Sequence, residues 1–153
     1  MKTVYFSLLL AFFVLPLLAQ EQTDPAIEKQ AIEQVVIYAY QEGISNKGDV
    51  PAIEKGFHPC FNIIGLGQNN GVWHYPIYSW IESVEQKQKE GKYPAEEKVT
   101  FKFPLVDVTG NAAIAKVYYF KGEKHIYTDY LSLYKFAEGW RIVNKIYFQH
   151  EKN

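Results

Sequence analysis

The sequence predicts an α+β domain, because helical patterns fill the first half of the chain and alternating patterns fill the second. Between residues 25 and 43, apolar side chains recur every three or four positions, the period of an amphipathic helix. From Lys98 onward they recur at every second position, which is typical of strands with one buried face. The length of 153 residues suits one domain with one hydrophobic core.

Three helices are predicted from their start and stop signals. Asp24 and Pro25 supply an N-cap and a first-turn proline. Asp49 can cap a short second helix, and Pro76 opens a third. Glycines near the ends of these segments favour helix termination. The predicted helices therefore span residues 24–43, 49–56 and 76–91.

A hairpin and a four-stranded meander complete the predicted fold. Asn70-Gly71, a strong tight-turn signal, lies between apolar segments 61–67 and 72–75. Glycine-containing turns then separate four longer segments, which predicts antiparallel neighbours. A long twisted sheet tends to curl. With a helix laid across its concave side it forms a cone, whose open end can hold a small-molecule cavity. The four later strands are predicted at residues 98–105, 112–120, 125–136 and 140–148.

The first nineteen residues are predicted to be a secretory signal peptide rather than part of the fold. Lys2 precedes an apolar run from Val4 to Leu18, and Ala19 offers a small residue for cleavage. A transmembrane anchor is the alternative, but the run is short for a span of about 20 residues. We expect an exported chain, periplasmic or secreted, whose mature residues 20–153 form one domain.

Composition excludes several kinds of function. The net charge of −1 and the pI of about 6.4 leave no electrostatic footprint for nucleic acid and no polybasic patch for a membrane. No metal site, phosphate-binding glycine loop or serine nucleophile elbow has the spacing its chemistry requires, so no cofactor is predicted. The single cysteine, Cys60, cannot form an internal disulfide, and we expect it to pack in a core strand.

Three local strings carry a resemblance to a known superfamily. They are 57-FHP-59, 127-YTDYLSL-133 and 139-GWRIVNKI-146. Together with the order of elements, they resemble the nuclear transport factor 2-like superfamily, and within it the branch called putative lumazine-binding or SnoaL-like. The resemblance covers nearly the whole mature chain. It implies a cone-shaped fold with three N-terminal helices packed on a curved antiparallel sheet. Members of this fold include dehydratases, isomerases and binding domains, so fold alone does not give activity.

The last predicted hairpin indicates which side chains share a face. If Phe136 faces Trp140 across the turn, Ser132 faces Asn144 and Tyr130 faces Ile146. We expect this face, with its rings, hydroxyls and amide, to line the concave side, either as a pocket wall or as packing against the first helix. The opposite face would be apolar apart from Asp129 and Lys145, which lie diagonally and predict a surface salt bridge. An exposed apolar face of this kind favours a homodimer through the outer side of the sheet.

Three functional hypotheses follow. The first is a domain that binds a small hydrophobic or aromatic molecule without covalent chemistry. The second is an isomerase or dehydratase in which His58 is the general base and Tyr130 polarises a carbonyl, because histidine titrates near neutrality. The third is a structural or partner-binding dimer whose cavity is filled by its own side chains. The residues predicted to line a ligand site are Tyr40, His58, Trp80, Tyr130, Ser132 and Asn144.

Overall fold

A computed structural model describes residues 24–150, so the predicted leader at residues 1–19 lies outside the described part of the chain. Three helices and one six-stranded mixed sheet make up this α+β fold. In chain order its elements are α1 (Pro25–Val36), a π-helical segment (Ile37–Lys47), α2 (Val50–Gly56), β1 (Phe57–Leu66), a 3-10 turn (Gln68–Asn70), β2 (Val72–Pro76), α3 (Ile77–Lys89), β3 (Val99–Thr109), β4 (Ala112–Lys121), β5 (Lys124–Phe136) and β6 (Gly139–Gln149).

The first helix begins where predicted but ends later. The Asp24 carboxylate accepts a hydrogen bond from the Ala26 N–H at 2.9 Å, which caps α1. The helix then continues as the wider π-helical segment until Gly48, whose φ of 68° ends it in the left-handed conformation. The predicted end at Gly43 was wrong because this glycine has another role. A Cβ there would lie 3.0 Å from Ile53 Cγ1, so Gly43 allows α2 to pack closely.

The sheet has the order β2-β1-β6-β5-β4-β3. The predicted β1–β2 hairpin and the β3-to-β6 meander are confirmed as antiparallel pairs. The prediction of a wholly antiparallel sheet was wrong, because β1 joins the meander by pairing parallel to β6. That pairing is irregular between Phe57 and Asn62, and Cys60 in this stretch is exposed rather than packed in the core.

A β-bulge in β6 decides which side chains face the helices. Leu133 pairs with Ile142 and Ser132 pairs with Asn144, so Val143 is an extra residue with no partner on β5. In a regular strand, Ile142 and Lys145 would point to opposite faces. With the bulge, both are buried on the side that the helices cover.

The prediction of the inward face was therefore wrong. The helix-covered face of β5 carries the buried Asp129, Leu131 and Leu133, and the outer face carries Tyr130 and Tyr134, each about half exposed. The physical reason is that aliphatic side chains are buried in preference to tyrosines with polar tips. The predicted cross-strand pairs of Ser132 with Asn144 and of Tyr130 with Ile146 are confirmed. The predicted pair of Phe136 with Trp140 was wrong, because the bulge shifts the register and Phe136 pairs with Gly139.

Polar side chains fix the first helix and its π-helical extension onto the sheet. Glu28 accepts hydrogen bonds from Lys135 Nζ and from Trp140 Nε1, each at 2.6 Å, and so joins α1 to the β5–β6 hairpin. At the other end, Asn46 is buried against β3. Its amide nitrogen donates to the Val99 carbonyl at 3.0 Å, and its amide oxygen accepts from the Val99 N–H at 2.8 Å. Asn46 thus satisfies both backbone groups of a buried residue.

We predict that Asn46→Ala lowers the free energy of unfolding by about 1–3 kcal/mol, because it leaves buried backbone groups of Val99 without partners. Urea denaturation measures the loss. Asn111→Ala is the matched control, since Asn111 is exposed in the β3–β4 turn, and its effect is expected to stay within about 0.5 kcal/mol. Equal losses in the two variants would show that Asn46 does not anchor β3.

Candidate ligand-binding cavity

A cavity of about 360 Å³ lies between the π-helical segment, α3 and the helix-covered face of the sheet. Its size falls within the range of small-molecule sites, about 300–1,000 Å³. Six tyrosines and two tryptophans supply most of its wall. The lining residues are Tyr40, Ile44, Ser45, Ile63, Trp73, Tyr75, Trp80, Lys87, Tyr93, Tyr119, Tyr127, Lys145 and Tyr147. We call this space the Lys145 cavity, because Lys145 is the buried cation in its lining.

Lys145 forms a buried ion pair with Asp129. Lys145 Nζ lies 2.9 Å from Asp129 Oδ2, and the two side chains are 6% and 0% exposed. The Tyr40 hydroxyl completes the cluster. It donates to Asp129 Oδ2 at 2.8 Å and accepts a short hydrogen bond from Lys145 Nζ. One carboxylate oxygen therefore receives two donors, one from the π-helical segment and one from β6.

Asp129 and Lys145 each keep one hydrogen-bonding group that the cluster does not use. Asp129 Oδ1 is buried and has no hydrogen-bond partner among residues 24–150. The Lys145 ammonium has three N–H bonds. Tyr40 and Asp129 accept two of them, and within the described residues no third acceptor contacts Nζ. Since Lys145 lines the cavity, one N–H remains to meet a ligand oxygen.

Four aromatic rings lie close to the Lys145 ammonium. Ring centroids lie 4.6–5.7 Å from Nζ, close enough for cation–π attraction. A cage of this kind usually receives a cationic ligand. Here the chain's own ammonium occupies it, which disfavours a positively charged ligand at this point. The four rings belong to Tyr40, Trp80, Tyr127 and Tyr147.

Burial shifts the protonation of both neighbours of Asp129. It lowers the pKa of the Lys145 ammonium below its usual value, because loss of water outweighs the opposing effect of the Asp129 charge. It raises the pKa of the Tyr40 hydroxyl well above its usual value, and the Asp129 charge adds to that rise. Tyr40 therefore keeps its proton at neutral pH, and the Lys145 amine releases one more readily than a surface lysine.

Contacts of Trp73 and Trp80 position part of the cavity wall. Trp73 on β2 pairs with Gly65 on β1, and its indole lies directly over the glycine. A Cβ at residue 65 would come within 2.0 Å of that ring, so only glycine leaves room for it. The ring of Trp80 on α3 packs edge-to-face on Tyr40, with 5.4 Å between ring centroids. These contacts hold three rings around one opening.

Two of the six residues predicted as ligand contacts meet in the Lys145 cavity. They are Tyr40 and Trp80. Tyr130, Ser132 and Asn144 instead line a separate groove of about 210 Å³ on the outer face of the sheet. They are on that face because the aliphatic face of β5 turned inward. The predicted ligand contacts of these three residues were expected on the concave side and stay a prediction.

His58 lies apart from both spaces. Its Nδ1 accepts the Cys60 backbone N–H at 3.1 Å, and its ring stacks on Phe136 with 4.8 Å between centroids. His58 lines neither the Lys145 cavity nor the outer groove. Neither of these two spaces therefore brings the proposed His58 base together with Tyr130.

Asp129 and Lys145 were recognised from the sequence as a diagonal pair but were wrongly placed at the surface. Both are buried. The signal that could have placed them correctly is their neighbourhood, since Leu131 and Leu133 share the face of Asp129. An acid and a base on an otherwise apolar face indicate a paired charge inside the core.

Two features are absent from the described residues 24–150. No helix there is long and apolar enough to cross a membrane. No three histidine, cysteine or acidic side chains in the same range gather closely enough to hold a metal ion.

Comparison with family models gives one assignment. Residues 27–148 match the model of the family described as "Putative lumazine-binding". This range includes every residue that lines the Lys145 cavity. No match was found among the curated proteins.

Solved structures of similar fold come from several organisms. An NTF2-like protein of unknown function from Shewanella baltica is 25% identical, with a TM-score of 0.67, and the match covers 85% of this chain and 99% of that one. An NTF2-like protein of unknown function from Silicibacter pomeroyi is 22% identical, with a TM-score of 0.64 and coverage of 82% and 98%. A third NTF2-like protein of unknown function, from Methylobacillus flagellatus, is 21% identical with a TM-score of 0.62. The match covers 84% of this chain and 97% of that one.

Removing one member of the buried pair is predicted to cost much more than removing an exposed ion-pair partner. Lys145→Met leaves the Asp129 charge uncompensated, and we expect a loss of about 3–5 kcal/mol in the free energy of unfolding. The double variant Lys145→Met/Asp129→Leu removes both charges and is expected to recover most of that loss.

The matched control is Lys121→Met, which breaks an exposed pair with Glu97 at 3.5 Å and is expected to cost about 0–1 kcal/mol. Guanidinium denaturation of the four proteins measures these differences. A Lys145→Met variant no less stable than Lys121→Met would contradict the buried pair.

Proposed function

Because the chain belongs to the family described as "Putative lumazine-binding", we propose that it binds a small, flat aromatic molecule in the Lys145 cavity. The observation that carries this proposal is a space of about 360 Å³ with aromatic walls and one ammonium group. Rings give a flat ligand large contact area, and a single polar group fixes its orientation.

The ligand's own polarity follows from the cluster around Lys145. One ammonium N–H is left for a ligand acceptor, and the paired Asp129 carboxylate already balances the positive charge. A neutral ring carbonyl or amide oxygen satisfies that donor without adding charge to an apolar site. Lumazine, a flat bicycle with ring carbonyls, has this chemistry and serves as the first probe.

The prediction is that filling the cavity removes binding and that filling the outer groove does not. Ser45 lines the cavity and Ser132 lines the groove, so Ser45→Phe and Ser132→Phe add the same ring on opposite faces. With lumazine, isothermal titration calorimetry is expected to give a dissociation constant at least about tenfold weaker for Ser45→Phe, while Ser132→Phe binds as the unmodified protein does. Thermal melts of both variants confirm that each is folded.

Two results would count against this assignment. Binding lost in Ser132→Phe but kept in Ser45→Phe would move the site to the groove of Tyr130, Ser132 and Asn144. No binding of lumazine, together with no small molecule retained in native mass spectra of protein purified from its own host, would leave the cavity without an occupant.

We also propose that two copies of the chain associate through the outer face of the sheet. Six large apolar side chains on β3 to β6 are each about half exposed there. Single apolar residues scattered over a surface are normal, but a group of this size on one face is typical of an interaction site. Covering them with a second copy would remove this area from water. They are Leu105, Ile114, Tyr130, Tyr134, Ile146 and Phe148.

Sedimentation equilibrium at micromolar concentration is expected to give the mass of two chains. Ile114→Lys and Ile146→Lys place a charge in the outer face, and each is expected to shift the mass to one chain. Tyr78→Lys is the control, because Tyr78 is 64% exposed on α3, and it is expected to remain a dimer. A one-chain mass for the unmodified protein would contradict the dimer.

Export remains a proposal that rests on the N-terminal segment alone. The basic start and apolar run of residues 1–19 support secretion. In that case the cavity would meet ligands of the periplasm or of the surroundings of the cell.

A further inference from the structure

We propose that Lys145 is a reactive amine that condenses reversibly with an aromatic aldehyde or ketone held in the cavity. This inference rests on the proposed function, because the same aromatic walls must hold the carbonyl compound. It goes beyond that function by assigning covalent chemistry to a named atom, Nζ of Lys145.

The position of Lys145 meets the first requirement of such chemistry, a desolvated amine that a small molecule can reach. Its side chain is 6% exposed, yet it forms part of the cavity wall. Four ring centroids lie within 5.7 Å of its ammonium, which leaves little room for solvating water on those sides. Lysines that form Schiff bases depend on such surroundings, which favour the neutral, nucleophilic amine.

The second requirement is a base that removes a proton from the ammonium. Asp129 Oδ2 lies 2.9 Å from Nζ, at hydrogen-bond distance. Transfer of one proton from Lys145 to Asp129 turns a buried ion pair into a neutral acid and a neutral amine. This conversion leaves the net charge of the site unchanged and removes two charges from a poorly solvated region. The Tyr40 hydroxyl contacts both groups and can carry the proton between them.

The reaction balances with the groups that are present. The neutral Lys145 amine adds its electron pair to the carbonyl carbon, the C–N bond forms, and the carbonyl π electrons move to oxygen. That oxygen takes one proton from the nitrogen to give a carbinolamine. The nitrogen lone pair then expels the hydroxyl group, which leaves as water after protonation by the Asp129 acid. The product is a protonated imine beside the Asp129 carboxylate, and no oxidant or reductant is needed.

Lys87 provides an internal comparison. It also lines the cavity, but it is exposed on α3 and is therefore solvated. A solvated ammonium is a poor nucleophile near neutral pH. If carbonyl compounds only met whichever amine was accessible, Lys87 and the surface lysines would react before the buried Lys145.

The test traps the imine in the unmodified protein. Protein is incubated with 2-naphthaldehyde and cyanoborohydride near neutral pH, and the reduced adduct is located by peptide mass spectrometry. We expect the adduct on Lys145 in preference to Lys87, and its loss in Lys145→Arg. Because the map comes from the unmodified chain, the result does not depend on the variant folding.

A second compound separates failure of this inference from failure of the proposed function. 2-Naphthalenemethanol has the same rings but no carbonyl, and its binding is measured by calorimetry. An adduct absent from Lys145, or spread over Lys87 and the surface lysines, overturns the inference. If the alcohol still binds and Ser45→Phe abolishes that binding, the proposed function survives. If it does not bind, the proposed function fails for this class of aromatic molecule as well.

Discussion

The pairing of Asp129 with Lys145 beneath Tyr40 is the interaction on which the rest of this structure depends. Two charges removed from water are tolerated only while they remain together and hydrogen-bonded. Asp129 lies on β5 and Lys145 on β6, so separating these strands would leave both charges unpaired. Moving the π-helical segment away would remove the hydrogen bonds of the Tyr40 hydroxyl to both groups. The cluster thus specifies how the first helix lies on the sheet. The apolar core around it accounts for most of the buried side chains.

Two departures from regular backbone geometry bring the cluster together. The bulge at Val143 lets Ile142 and Lys145 share the helix-covered face, although their spacing would separate them in a regular strand. The π-helical extension carries Tyr40 and Ser45 into the cavity wall before the chain ends this element at Gly48. Bulges and π-helical segments are enriched at functional sites. Here they place one amine at the inner wall of an aromatic cavity.

The sequence predicted most of the fold because its signals are local. Asp24 and Asp49 capped helices as expected, and turn residues separated the strands. The parallel pairing of β1 with β6 was missed because it depends on contacts between residues far apart in the chain. The bulge was missed because nothing in the sequence around Val143 distinguishes a regular strand from a strand with one extra, bulged residue. Missing the bulge grouped Ile142 with Asn144, although the two lie on opposite faces. The choice of the tyrosine face as inward is a separate error, and it put Tyr130 on the wrong side. Tyr40 and Trp80, which lie on helical segments, do line the cavity.

The most direct test of the desolvated amine is an NMR titration of protein whose lysine side chains carry ¹³C at Cε, with the Lys145 signal assigned by its absence in Lys145→Arg. Desolvation by the rings of Tyr40, Trp80, Tyr127 and Tyr147 lowers the pKa of this one amine. The signal of Lys145 is therefore expected to titrate at a lower pH than those of the exposed lysines. A Lys145 signal that titrates together with the exposed lysines would show that its amine is solvated and is not the buried group described here.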